Sequence, residues 1–391
     1  MKILGIETSC DETGISLIEA IGEIPNTHFK VLGDALYSQI SIHAQYGGVF
    51  PIMAKRAHAQ NILQLTSGCL SDANEWKVTD ASGLSPEKEI VIRKILERED
   101  NLGEEFISTL SKIKKPDIDA IAVTHGPGLE PALWVGVNFA RALSIAWDIP
   151  IIPSNHMQGH ILSVLLTSDG KMQDIKFPVI SLLISGGHTE LILLTNWLET
   201  KIIGRTRDDA VGEAFDKVAR ILGLPYPGGP EISKLAGIQR QLAIGPEKPV
   251  FPLPRPMINS GDFDFSFSGL KTAVLYTVKK IDKLTEEIKK DLACEFENSV
   301  TEVLLSKTFK AATAYDANTI IIGGGVSCNE NIRANFQKEA KERNIQLLLP
   351  NPKMSTDNAV MIALAGYFNI VNGAQTYKGE TEIKPQGNLA L

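Results

Sequence analysis

The sequence predicts an α/β protein built from two similar halves around a central cleft. Three observations predict it. A short apolar strand, a turn of glycine and hydroxyl residues, and a second apolar strand occur at 3–18 and again at 179–194. Each half also has a buried-strand run that enters a glycine loop, Ile118–Val123 before His125-Gly126-Pro127-Gly128 and Ile320-Ile321-Ile322 before Gly323-Gly324-Gly325. Finally, 391 residues exceed what one ordinary core organises, so two domains are expected. A motif repeated once per half is the mark of duplication, with a cleft where the halves meet.

Taken in order, residues 3–6 and 15–18 read as strands flanking the polar turn Glu7–Gly14. Residues 118–123 form the next strand, a helix follows from about Gly136 to Trp147, and Ile149–Pro153 closes the first half as a strand. The second half begins near Phe177. It has strands at 179–184 and 191–194, a strand at 320–322 and a helix starting near Asn329. The expected boundaries are 1–153 for the first lobe, 154–352 for the second, and a C-terminal segment, 353–391, whose helix returns towards the first lobe. Residues 70–116 differ, being charged with two amphipathic stretches, and read as a helical surface insertion. Ser85-Pro86 starts one helix, with Ile90, Val91, Ile95 and Leu96 as its apolar face. Phe106, Ile107, Leu110 and Ile113 mark the other.

Hydrophobic residues make up 43% and charged residues 22%, which is globular usage. The net charge of −7 argues against free-standing, charge-driven binding of nucleic acid, so any RNA contact needs a local basic patch or a partner. Four cysteines at 10, 69, 294 and 328 form no CxxC pair, so neither a zinc ribbon nor a disulfide scaffold is suggested. No stretch approaches the run of about 18 apolar residues that a membrane span requires, and the N-terminus lacks a signal pattern. A cytoplasmic protein is expected.

The sharpest local pattern is His156-Met157-Gln158-Gly159-His160. Residues at i and i+4 share one helix face, so two imidazoles there can converge on one metal ion. Two helical histidines also often only pack. Met157 stands where a zincin carries its general-base Glu, which weakens a protease reading. Asp357, before the apolar helix that starts at Ala359, is a candidate third ligand, and equally a helix N-cap. It meets the histidines only if the two halves close on each other. Two histidines and one carboxylate leave open positions, and suit iron or zinc. The turns Ser185-Gly186-Gly187 and Gly323-Gly324-Gly325 allow a phosphate or ribose to approach the backbone, or simply make tight turns. Neither is a Walker loop. Asp216 can bind ribose hydroxyls, or form a surface salt bridge. Ser266–Lys271 is a polar loop before a helix, whose Lys271 can meet phosphate or water.

Together these motifs resemble one family. GIETSCDETGISL at 5–17, HAQYGGVFPIMAKRAH at 43–58, THGPGLEPALWVG at 124–136, NHMQGH at 155–160, SGGHTEL at 185–191, GEAFDKVARILGLPYPGGP at 212–230, FSFSGLKTAV at 265–274, GGGVSCNENIR at 323–333 and STDNAVMIA at 355–363 resemble the TsaD family, the tRNA threonylcarbamoyltransferases once described as glycoproteases. The resemblance spans the chain except 70–116. His125 and Glu130-Pro131 depart from residues common in bacterial members.

The resemblance implies two RNase H-like lobes of the actin/sugar-kinase (ASKHA) type around a central cleft. It implies an acyltransferase that moves a threonylcarbamoyl group from threonylcarbamoyl-AMP to N6 of adenosine 37, in tRNAs reading codons that begin with A, and releases AMP. Carried over by position, it implies metal ligands at His156, His160 and Asp357. Substrate contacts fall at Leu183, Ile184, Ser185, Gly186, Gly187, Asp216, Gly229 and Asn329. The acidic pair Asp11 and Glu12 is the catalytic candidate. It implies one divalent metal ion, iron or zinc, with the adenylate as a substrate moiety. The partners implied are tRNA, a TsaB-type paralogue and a TsaE-type small ATPase, with no membrane. Two other readings use the same fold: a carbamoyl or phosphoryl transferase on a small molecule, and a nucleotide-binding regulatory module.

Overall fold

The apolar run at 3–6 forms β1 (Lys2–Glu7), and after the turn at Thr8–Asp11 the chain reverses into β2 (Glu12–Ile21) and β3 (His28–Ser38). In this computed structural model, which describes residues 1–79, 83–197, 199–242 and 249–391, the three strands are antiparallel neighbours, with Ile6 opposite Ile15. Helices α1 (Ile40–Ala44), α2 (Pro51–Asp72), α3 (Pro86–Ile95) and α4 (Leu102–Leu110) follow. The chain then adds β4 (Ala120–Gly126), α5 (Glu130–Trp147), β5 (Ile151–Asn155) and α6 (His156–Ser163). Strand β4 runs parallel to β1, and β5 parallel to β4, so the sheet order is β3-β2-β1-β4-β5.

The second sheet repeats this plan. It contains β6 (Val179–Ile184), β7 (Thr189–Leu194) and β8 (Thr200–Arg205). These precede helices α7 (Val211–Ile221), α8 (Gly228–Leu242), α9 (Ser268–Lys279) and α10 (Glu286–Ala314). Then come β9 (Thr319–Gly323), α11 (Glu330–Glu342) and β10 (Gln346–Leu348). The order is β8-β7-β6-β9-β10, with β6, β7 and β8 antiparallel and β6, β9 and β10 parallel. Order and direction match the first sheet strand for strand. The chain is a duplicated α/β protein, with one RNase H-like five-stranded sheet in each half.

The two units do not divide where the sequence suggests. The first comprises Met1–His43, Val49–Asp174 and Asp357–Leu391; the second comprises Ala44–Gly48 and Ile175–Thr356. Residues 154–174, expected in the second lobe, belong to the first because β5 runs directly into α6. Residues 353–356 stay with the second unit. The last helix, α12 (Ala359–Val371), is almost wholly apolar and covers the first sheet. It lies so close to β1 that a β-carbon on Gly5 would stand 2.2 Å from the Ala359 carbonyl oxygen.

Residues 80–82 lie outside the described residues; the described residues of 70–116 are part of the first unit's body and not a solvated hairpin. Ser85 caps α3 by accepting from the Lys88 N–H. Ile92 and Leu96 are buried, whereas Ile90, expected on the apolar face, is 66% exposed. Phe106 of α4 is buried edge-on against Phe139 of α5, their ring centroids 5.6 Å apart. The four cysteines are free thiols. No helix among the described residues is long and apolar enough to cross a membrane.

Candidate metal centre and binding pocket

The Asn155 side chain accepts hydrogen bonds from the Met157 and Gln158 N–H groups at 2.8 and 3.2 Å, and so starts α6 at His156. His156 and His160 then share one helix face, with ring centroids 4.7 Å apart. Between them Gly159 faces α12, where a β-carbon would lie 3.1 Å from Met361 Cγ. On α12 the cap is Asn358, which accepts from the Met361 N–H at 3.0 Å. Asp357, one residue earlier, is thereby released from capping. Its Oδ1 lies 3.1 Å from His160 Nε2 and 3.4 Å from His156 Nε2.

These two imidazoles and one carboxylate offer ligand atoms within 4.8 Å of one another. Both histidines are buried, His156 to 6% and His160 to 1% exposure. Two borderline nitrogen donors and one oxygen, converging from a rigid helix face and a helix start, fit a divalent transition metal with positions left open. All three residues belong to the first unit. The expectation that Asp357 reaches the histidines only by closure of two halves is therefore corrected. The return of α12 onto the first sheet brings it there.

Charge around the centre is negative. Burial alone would raise the Asp357 carboxyl, but the imidazoles, His156 first, outweigh it and hold it well below the usual range. Burial likewise disfavours a charged His156, yet Asp357 and then Glu7 hold it protonated well above the usual range. Glu12 is pushed up to about 10, by burial first and then by the charges of Asp357 and Asp11, with which it shares a hydrogen bond. The Cys10 thiol is raised well above its usual value by burial and then by Asp11.

In the second unit the turn between β6 and β7 is held by Ser185, whose hydroxyl accepts from the Gly187 and His188 N–H groups. Gly186 and Gly187 are exposed there. Leu183 and Ile184, expected as substrate contacts, are not on this surface. Both are fully buried within β6, laddered to β7 and, at Leu183, to β9, so their side chains have no surface to offer a ligand.

Gly186, Asp216, Gly229 and Asn329 line a cavity of about 550 Å³. The starts of α8 and α11 open onto it, which suits an anionic ligand. Asp216 Oδ1 accepts from the Gly228 N–H at 2.7 Å and fixes the start of α8. Asn329 caps α11 through Oδ1 and donates from Nδ2 to Ser233, at 2.8 Å, and to Glu297. Glu297 also accepts from Ser233 and Arg240. Ser233, Arg240 and Glu297 line the same cavity, yet no sequence pattern marks them; Glu297 lies inside the long α10. Lys271 and Ser266 are not among the cavity's lining residues. The Ser266 and Ser268 hydroxyls donate to Asp208 instead.

The family profile described as TsaD, tRNA N6-adenosine threonylcarbamoyltransferase, matches residues 30–84 and 77–364. The two matched pieces overlap at 77–84, within the 70–116 stretch. Curated proteins named tRNA N6-adenosine threonylcarbamoyltransferase are similar over nearly the whole length. One from Thermosipho melanesiensis is 42% identical, covering 94% of both chains. One from Staphylococcus epidermidis is 40% identical, covering 100% of this chain and 97% of its own. One from Polynucleobacter necessarius is 39% identical, covering 100% and 98%. A crystal structure of HypF from T. kodakarensis shares the fold, with a TM-score of 0.53 at 11% identity over 96% of this chain and 48% of that one. The profile match over most of the length, with relatives near 40% identity, shows that this chain belongs to the tRNA N6-adenosine threonylcarbamoyltransferase family.

Proposed function

We propose that the protein transfers a threonylcarbamoyl group from threonylcarbamoyl-AMP to N6 of adenosine 37 in tRNAs that read codons beginning with A, releasing AMP. The observation that carries this reading is the convergence of His156, His160 and Asp357 in a chain of this family. A bound divalent ion, iron or zinc, would supply Lewis-acid polarisation of the carbamoyl carbonyl. His156 and His160 hold the two nitrogen ligand atoms on one rigid face, and Asp357 supplies the oxygen.

The second unit supplies the adenylate site. The helix starts that open onto the cavity, with Gly186 exposed on its lining, neutralise the phosphate that leaves with AMP. Asp216 and Gly229 border the nucleoside. Asn329 has both Nδ2 hydrogens engaged, so it offers a ligand only the remaining lone pair of Oδ1. Asp11 is the candidate to test as acceptor of the proton lost by the RNA amine. The mixed anhydride is already activated, so placement of the amine supplies most of the rate.

The net charge of −7 supports a working complex in which a TsaB-type paralogue and a TsaE-type small ATPase join the enzyme in the cytoplasm, a partner adding positive surface for tRNA. The test is deletion of the gene, digestion of bulk tRNA and mass spectrometry of threonylcarbamoyladenosine, with complementation by wild type and by His160→Ala. The modification should vanish, return with wild type and stay absent with the variant. Normal modification in the deletion strain, or full rescue by His160→Ala, would overturn the reading.

A further inference from the structure

Glu7 is the last residue of β1 and is fully buried, yet it forms no part of the converging ligand set. Its two oxygens are occupied in a defined way. Oε1 accepts from the Ser9 N–H, and Oε2 accepts from the Thr124 hydroxyl at 2.7 Å. Oε2 also lies 3.0 Å from Nδ1 of His156, with the Ser9 hydroxyl 3.2 Å from the same nitrogen. The two donors come from the turn after β1 and from β4, so the carboxylate is anchored to the sheet.

We infer that Glu7 positions His156 for metal binding, holding a proton on Nδ1 so that Nε2 is presented as the ligand atom. This rests on the metal-centre reading of His156, His160 and Asp357. A carboxylate that already receives an N–H and an O–H offers His156 only a lone pair, which selects the tautomer with hydrogen on Nδ1. The opposite ring nitrogen, Nε2, is the one that faces Asp357. The two histidines are unequal in this respect. Nδ1 of His160 is buried and has no hydrogen-bond partner among the described residues. Of the two rings, only His156 is tied to the sheet through a carboxylate, so Glu7 sets the azimuth of the pair. Carboxylates behind a metal-bound imidazole generally act this way.

Glutamine at this position cannot reproduce the arrangement. If its carbonyl oxygen faces His156, its NH2 meets the Ser9 N–H, donor against donor. If its oxygen faces Ser9, its NH2 points at Nδ1 and drives the proton to Nε2, where it blocks coordination.

The test uses the full chain and zinc(II) alone. Zinc affinity is measured by chelator competition for wild type, Glu7→Gln and His160→Ala. Separately, the histidine nitrogens of zinc-loaded wild type are assigned by 15N NMR. Glu7→Gln should weaken zinc binding about 10- to 100-fold. His156 should bind zinc through Nε2 with Nδ1 protonated. Wild-type zinc affinity in a folded Glu7→Gln protein overturns the inference, as does ligation of His156 through Nδ1. The NMR result needs no variant and decides the matter if Glu7→Gln does not fold. Failure of wild type to bind zinc, or undiminished binding by His160→Ala, removes the metal-centre reading and this inference with it.

Discussion

Gly159 of α6 and Met361 of α12 approach so closely that a β-carbon on the glycine would lie 3.1 Å from Met361 Cγ, and 3.2 Å from the Met361 carbonyl oxygen. The contact holds the helix that carries both histidines against the helix start that carries Asp357. Valine in place of Gly159 would force the two helices apart. Overpacking of this kind costs about 1–3 kcal/mol. The expected outcome for Gly159→Val is a lower urea midpoint together with weaker zinc binding, although no ligand is altered. Equilibrium denaturation and chelator competition on one preparation would show both.

The second unit should respond independently. Asp216 orders the start of α8 at the cavity through its bond to the Gly228 N–H. Asp216→Ala is expected to weaken AMP binding about tenfold, or roughly 1.4 kcal/mol. Its zinc affinity should equal that of wild type, because the ligand set lies wholly in the first unit. Calorimetric titration with AMP, then with zinc, checks both halves of the statement.

Acid should destabilise the protein through His58. This histidine is buried, with Nδ1 2.7 Å from the Thr13 hydroxyl and Nε2 3.1 Å from the Cys10 carbonyl oxygen. Burial, aided by the neighbouring His43, lowers it to about 4, against the lesser pull of the Cys10 carbonyl and Glu7. Unfolded, the same ring titrates near 6.5. Between those values the unfolded chain binds the extra proton, so stability present above pH 6.5 is lost as pH falls towards 4. The loss totals about 3 kcal/mol. Urea midpoints from pH 7.5 to 4 should fall more steeply for wild type than for His58→Gln.

Much of this architecture was legible in the amino-acid order. Strands β1, β6 and β9 announce themselves because they are buried on both faces and therefore read as unbroken apolar runs. Strand β3 does not, because it is an edge strand that alternates Lys30 and Asp34 with apolar residues, and a solvated face dilutes the pattern. His156 and His160 are visible because one helical turn separates them. Asp357 resembles an N-cap from sequence alone, and only the neighbouring Asn358 taking that role frees it. Glu7, Ser233 and Glu297 were not visible as site residues. Their partners lie far along the chain, 149 residues away for Glu7 and His156, and no local spacing encodes such a meeting.

The return of α12 to the first sheet has a consequence for the order of events during synthesis. Ribosomes deliver the sheet of the first unit early, but its covering helix and Asp357 only after the entire second unit has emerged. Until then Gly5 and the rest of the α12-facing surface of β1 await their neighbour. A nascent chain interrupted before residue 357 carries both histidines and no carboxylate to complete them. The convergence of His156, His160 and Asp357 therefore cannot form until translation has passed through the whole second unit.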